Sequence, residues 1–147
     1  MIRLATIHDH PVLIQVWEAS VRATHHFLPE VYLQYIKSIL PRAFSHVQLY
    51  VYMHTDETIC GFAGVDEDKI EMLFIDPSMR GKGVGRTLIT FCMQQLGANK
   101  VDVNEQNQQA VDFYQHIGFI VTGRSELDGA GKPFPLLHMQ LASVITA

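Results

Sequence analysis

Only two cysteines, one tryptophan and no surplus of positive charge occur in this 147-residue sequence. Cys60 and Cys92 stand apart in apolar surroundings at no metal-ligand spacing. That argues against a disulfide scaffold or zinc site and for buried, reduced thiols; no metal is expected. Eleven Lys and Arg against fifteen Asp and Glu leave a formal charge of −4. No basic excess exists to neutralise phosphates, which excludes a general nucleic-acid binder. Hydrophobic runs are short as well: the longest, Leu49 to Met53, has five residues, against the ~20 that a membrane helix needs. Neither a spanning segment nor a membrane partner is expected. Met1-Ile2-Arg3-Leu4 opens no signal-peptide core, which points to a cytoplasmic address. Repeats, linkers and low-complexity stretches are missing too. One domain over residues 1–147 is the expectation, with 48% hydrophobic residues to fill its core.

The apolar residues that are present change period along the chain. Ile2 to Ala5 reads as a short strand. Asp9-His10-Pro11 opens a helix, and Leu13, Val16, Trp17, Ser20, Val21 and Thr24 form one face of it. A second helix starts at Pro29, carries Tyr32, Ile36, Ile39 and Leu40 as its stripe, and stops near Pro41. Val47, Leu49, Val51 and Met53 then alternate with polar or aromatic residues, the mark of a half-buried strand. Ile59 to Val65 and Ile70 to Ile75 follow across short turns, predicting an antiparallel meander. In the second half Val84, Leu88, Phe91, Cys92 and Leu96 share a helical face that ends at Gly97. Lys100 to Asn104 is a strand, and Asn107 caps a helix closed by Gly118. Phe119 to Glu126 and Leu136 to Ser143 make a final hairpin. The order is β-α-α-β-β-β-α-β-α-β-β: a mixed, mostly antiparallel sheet flanked by helices, α/β in class, or α+β by stricter bookkeeping.

Chemistry concentrates in Ile70 to Arg86, where a strand runs into a glycine-rich turn and the turn into a helix. Gly81, Gly83 and Gly85 let a ligand approach the backbone. The helix N-terminus offers unpaired amides and a dipole that favours an anion. Arg80, Lys82 and Arg86 place three cations there, inside a net acidic chain. Basic side chains at that end oppose the dipole unless an anion sits between them. A phosphate-bearing ligand resolves the conflict. The Walker string G-x-x-x-x-G-K-[ST] is absent. A dinucleotide G-x-G-x-x-G fails because the sixth position from Gly81 is Arg86.

Arg80-Gly81-Lys82-Gly83-Val84-Gly85 resembles the R/Q-x-x-G-x-G/A motif of the GNAT N-acetyltransferase superfamily. Asn107 to Tyr114, with Gly118-Phe119, is similar to its second signature, N-x-x-A-x-x-x-Y…G-F. Both stand in the family's order and separation, and the likeness extends over essentially the whole chain, in the manner of small single-domain bacterial members. The resemblance implies acetyl-CoA as cosubstrate, its pyrophosphate held by the backbone of Arg80, Gly81, Lys82, Gly83, Val84, Gly85 and Arg86. It implies that the backbone of Leu73, Phe74 and Ile75 pairs with the pantetheine arm, and that Asn107 borders the coenzyme site as well as capping its helix. It implies that Tyr114, seven residues on and on the same helical face, donates a proton to the departing thiolate.

For the base that deprotonates the amine, Asp102 matches a position where some members carry a glutamate. Glu71, Glu105, His25, His26 and a water relay are alternatives. His25, His26 and Phe27 follow the first helix, where the family builds part of its acceptor wall. With Trp17 they would face the acidic hairpin edge of Asp66, Glu67, Asp68 and Glu71, a setting suited to a cationic amine. The expected activity is direct transfer of acetyl from acetyl-CoA to a small-molecule or peptide amine in a ternary complex, by a monomer or homodimer. A noncatalytic acyl-CoA-binding sensor on the same fold is the alternative.

Overall fold

A computed structural model describes residues 1–142. Its elements are β1 (Ile2–Leu4), α1 (His10–Thr24), α2 (Glu30–Phe44), β2 (Gln48–Met53), β3 (Ile59–Asp66), β4 (Lys69–Ile75), α3 (Val84–Leu96), β5 (Lys100–Asn104), α4 (Gln108–Ile117), β6 (Phe119–Ser125) and β7 (Leu136–Leu141). This is the order expected from the sequence. The last strand stops at Leu141, and Ser143, its expected end, lies outside the described residues.

Local chemistry sets the helix ends. The Asp9 carboxylate accepts the Thr6 amide at 2.7 Å and two bonds from the Arg3 guanidinium at 2.8 and 3.0 Å, which fixes the turn entering α1. Pro11 sits in the first turn of α1, where a missing N–H costs nothing. The α2 helix departs from expectation in two ways. It continues through Pro41 to Phe44, because a proline in the last turn removes one bond while Leu40 and Phe44 remain buried. Its inward stripe is Leu33, Leu40 and Phe44, and Ile39 is left 40% exposed.

The seven strands form one sheet in the order β1-β2-β3-β4-β5-β7-β6. All neighbours are antiparallel except β4 and β5, which run parallel and pair only at Lys69–Lys100 and Ile70–Val101. Directly beyond that join the register of β4 on β3 slips: Val65 faces Ile70 and Gly64 faces Met72, leaving Glu71 without an opposite residue. A bulge of this kind bends its strand. The sheet therefore opens between β4 and β5 from Glu71 onward.

The core lies on both faces of the sheet. On one, Leu13, Val16, Trp17 and Val21 of α1 pack with α2 against Val51 and Phe62. On the other, Leu88, Ile89 and Cys92 of α3 and Val111 and Tyr114 of α4 pack against Ile70, Val101, Val103 and Phe119. Both cysteines are buried and free, and burial pushes the Cys92 thiol up to about 11. Among the described residues no helix is long and apolar enough to cross a membrane.

Candidate active site

Gly83 stands at the N-cap of α3 with φ of 82°, and Gly81 before it has φ of 74°. Both values belong to the left-handed region that glycine tolerates and L-residues avoid. A Cβ built on either would meet nothing within 4 Å, so this backbone faces open space. Gly83 brings no side chain to cap the helix, and the first-turn amides of α3 are left for an external acceptor. Arg80, Lys82 and Arg86 are exposed around them. Arg80 also donates to the Gln109 side-chain carbonyl on α4, tying the loop to the second signature.

A cavity of about 330 Å³ opens over this turn. Arg80, Gly81, Gly83, Val84, Gly85 and Arg86 line it from one side. Leu73 and Ile75 of β4 form its floor, and Asn107 and Tyr114 of α4 close the far wall. Lys82 lies outside this lining, on the exposed turn. Asn107 is also the N-cap of α4, its side chain accepting the Ala110 amide at 3.3 Å. Ser20 and Thr24 of α1 and Gln109 complete the wall. Sequence reasoning missed Ser20 and Thr24 as site residues, although both stand on the α1 stripe as its polar members.

A second cavity of about 180 Å³ occupies the opening between β4 and β5. Glu71 and Phe74 line it from β4, Asp102 and Asn104 from β5, and His25 from the end of α1. Leu73, Ala110 and Tyr114 border both cavities. The two spaces therefore meet at the Tyr114 side chain, which is 6% exposed. Burial, with the Cys92 thiol beside it, pushes the Tyr114 phenol upward. It stays protonated at neutral pH and can act only as a donor of its proton there.

The remaining candidates separate. His26 is exposed and lines neither cavity. Phe27 is half-buried, its ring 5.3 Å from His25 and 6.0 Å from Phe134 on the β6–β7 connection. Trp17 is 3% exposed and belongs to the core beneath α1. It is no part of an acceptor wall, because its helical face points into the sheet. Of the acidic hairpin, Asp66 and Glu67 form an exposed turn and Asp68 pairs with Lys100 at 3.1 Å. Only Glu71 reaches the cavity. Glu105 pairs with Arg124 at 2.6 Å, away from both spaces.

Asp102 is held from two sides. Lys69 Nζ donates to its Oδ2 at 2.6 Å, and His138 Nδ1 lies 2.6 Å from its Oδ1. Burial works to raise the carboxyl, but the hydrogen bonds from Lys69 and His138 outweigh it and hold the group below the usual carboxylate range. Lys69 is visible from sequence only as a neighbour of the strand start. His138 carried no signal at all until the β5–β7 register placed it opposite Asp102.

His25 accepts or donates at Nδ1 to the Thr24 hydroxyl at 2.7 Å. Burial, with some repulsion from His26, lowers its pKa to about 4. The unfolded chain binds a proton near pH 6.5, whereas the folded chain refuses it down to about 4. Stability is therefore complete above 6.5 and is lost as pH falls across that window, by on the order of 3 kcal/mol. Thermal melts from pH 7.5 to 4 should show a smaller decline for His25→Gln than for the wild type. Parallel declines would detach the effect from this side chain.

A glycine-rich helix start with unpaired amides and exposed cations, and a second cavity in a parted sheet that shares Leu73, Ala110 and Tyr114 with the first, have the form of a group-transfer site with room for a phosphorylated donor and a separate acceptor. The family follows from comparison with known proteins. The profile of the acetyltransferase (GNAT) domain family matches residues 18–142, and the chain belongs to that family. The peptidyl-lysine N-acetyltransferases YjaB of Escherichia coli and Salmonella typhimurium are each 38% identical over 138 residues, covering 94% of this chain and 94% and 95% of theirs. The solution structure of apo YjaB from E. coli superposes with a TM-score of 0.88 at 39% identity, over 97% of each chain. A PaiA N-acetyltransferase from Thermoplasma acidophilum, in complex with coenzyme A, shares the fold with a TM-score of 0.70 at 24% identity, over 96% of this chain and 98% of its own. The protein is an N-acetyltransferase that moves the acetyl group of acetyl-CoA to an amine. Among the described residues no group of three His, Cys, Asp or Glu could hold a metal ion.

Proposed function

We propose that the acceptor is the side-chain amine of a lysine within a peptide or protein. The observation that carries this reading is the meeting of the two cavities at Leu73, Ala110 and Tyr114, in a chain similar along almost its whole length to peptidyl-lysine N-acetyltransferases. In this reading the amides and cations from Arg80 to Arg86 bind the pyrophosphate. The backbone of Leu73, Phe74 and Ile75, unpaired toward β5 beyond Ile70, takes the pantetheine arm as an added strand. The thioester then lies at the junction.

The lysine enters the second cavity between Glu71 and Asp102, with His25 on the α1 side and Phe27 packed against His25. Asp102 receives the ammonium, which gives up one proton to water to free its lone pair, and the neutral amine attacks the thioester carbonyl. As the C–N bond forms, Asp102 takes a second proton from the nitrogen, which has become strongly acidic, so a carboxylate of low basicity suffices. Tyr114 supplies the proton that the leaving thiolate needs. Attack is direct, in a ternary complex. The chain contributes orientation and placed dipoles rather than a covalent nucleophile. It works as a single domain, as a monomer or homodimer.

Thiol release from acetyl-CoA tests the reading against lysine-containing peptides, free amino acids and polyamines. Peptides with an internal lysine should turn over fastest. A best acceptor of net negative charge would overturn the acidic acceptor groove, and acetyl-CoA binding without turnover on any amine would leave a sensor. Raising salt from 0.05 to 0.5 M should weaken acetyl-CoA binding, since charge–phosphate attraction is screened over about 10 Å at 0.1 M.

A further inference from the structure

Asp102 belongs to a hydrogen-bonded row, Lys69–Asp102–His138–Ser125, that crosses four strands, and the proposed reaction uses only the Asp102 carboxylate. The β5–β7 register sets His138 opposite Asp102. On the far side β6 carries a register slip between Val121 and Gly123, which brings Gly123 opposite His138. A Cβ at Gly123 would come 3.4 Å from His138 Cδ2, so the ring lies close over the glycine. Ser125, two residues on and on the same face, has its Oγ 2.7 Å from His138 Nε2.

The directions of these bonds follow from the chemistry. An ionised carboxylate only accepts, so His138 Nδ1 carries the hydrogen. The other nitrogen of a neutral ring is an acceptor, and it takes the Ser125 hydroxyl. Ser125 therefore fixes both the tautomer and the tilt of His138, and His138 with Lys69 fixes the rotation of the carboxylate. Each carboxylate oxygen keeps a lone pair free, and Asp102 lines the cavity. Ring nitrogens of metal-binding histidines are steered by outer partners in the same manner.

We propose that His138, anchored by Ser125, is a positioning residue for the acceptor: it holds the Asp102 carboxylate in the orientation that receives the ammonium. The inference rests on the proposed role of Asp102. Lys69, Asp102 and Glu71, which sits 3.8 Å from Lys69, form one positive and two negative groups, a net negative set that attracts an ammonium. Nearby charges are paired among themselves: Glu105 with Arg124 at 2.6 Å and Lys100 with Asp68.

The test is steady-state kinetics with a lysine peptide at pH 8 on the wild type, His138→Asn, His138→Ala, Ser125→Ala and Asp102→Asn, with acetyl-CoA affinity measured by calorimetry on each. His138→Asn keeps an amide donor for Asp102, so its peptide KM should stay close to that of the wild type, a rescue relative to His138→Ala. At pH 8, His138→Ala should raise KM roughly tenfold, the lower end for an outer partner, with a smaller change in kcat. Ser125→Ala, which deletes one oxygen atom, should shift KM the same way by a few-fold. Acetyl-CoA affinity should be unchanged in all. A KM in His138→Asn raised as far as in His138→Ala, or a wild-type KM in both His138→Ala and Ser125→Ala, would overturn the inference. If Asp102→Asn itself acts like the wild type, the reading of Asp102 falls first, and this inference with it.

Discussion

Tyr114→Phe should lower the single-turnover rate of acetyl transfer by roughly 10²–10⁴-fold, the span of a lost general acid, while leaving acetyl-CoA affinity almost untouched. The substitution removes one oxygen and keeps the ring, which packs edge-on against Phe113 at 5.1 Å and Phe119 at 5.5 Å. Those contacts survive, so folding and the walls of both cavities survive with them. What disappears is the proton held at their junction. Rapid mixing with saturating peptide is the fair measurement, because slow product release would mask the loss in kcat. Parallel loss of acetyl-CoA affinity would make the phenol a positioning group for the thioester. An unchanged single-turnover rate would leave Tyr114 as packing.

Gly83→Glu should abolish acetyl-CoA binding in calorimetry. Two effects add. The residue sits at φ of 82°, where a side chain strains the backbone by of order 1–3 kcal/mol. The new carboxylate also projects into the space over the amides that would receive the pyrophosphate, repelling the anion the site is built for. Gly83→Ala separates the two, since its methyl would meet nothing within 4 Å and adds strain without charge. Binding should fall modestly in the alanine variant and vanish in the glutamate one. Wild-type affinity in a folded Gly83→Glu protein would remove the pyrophosphate from this turn.

The features legible in the sequence are those written locally. The change of period from α2 to β2, the glycines and cations of the turn before α3, and the Asn107 cap are each contained in a few consecutive residues. They placed the elements and most of the turn that lines the first cavity. What stayed hidden depends on how distant strands align. Asp102 could be named, but its partners Lys69 and His138 lie 33 and 36 residues away in sequence and meet it only through β4–β5 and β5–β7 pairing. Helical faces were read to within one position. On α2 the choice between Tyr32 and Leu33 as the inward residue turned on the sheet beneath. Tyr32 instead stacks on Phe134 at 5.2 Å, a contact with a loop that no local pattern announces. Trp17 went astray for a related reason: an aromatic residue suits a binding wall and a core equally, and only its burial separates them.

The parallel join of β4 and β5, two residue pairs wide, also governs how the molecule comes apart. Four strands lie on one side of it and three on the other, each set zipped internally by longer antiparallel ladders. Backbone amides beside the join should exchange with solvent through local opening at a lower free energy than those within β3 or β7. A molecule lodged in the cavity over the turn before α3 touches α1, β4, α3 and α4 together, and so spans the weak line. Occupancy at 100 times the dissociation constant adds about 2.7 kcal/mol to folding by mass action. A melting point taken on the empty chain therefore understates the stability of the working enzyme, and depletion of the donor in a cell would loosen this seam before any other part of the sheet.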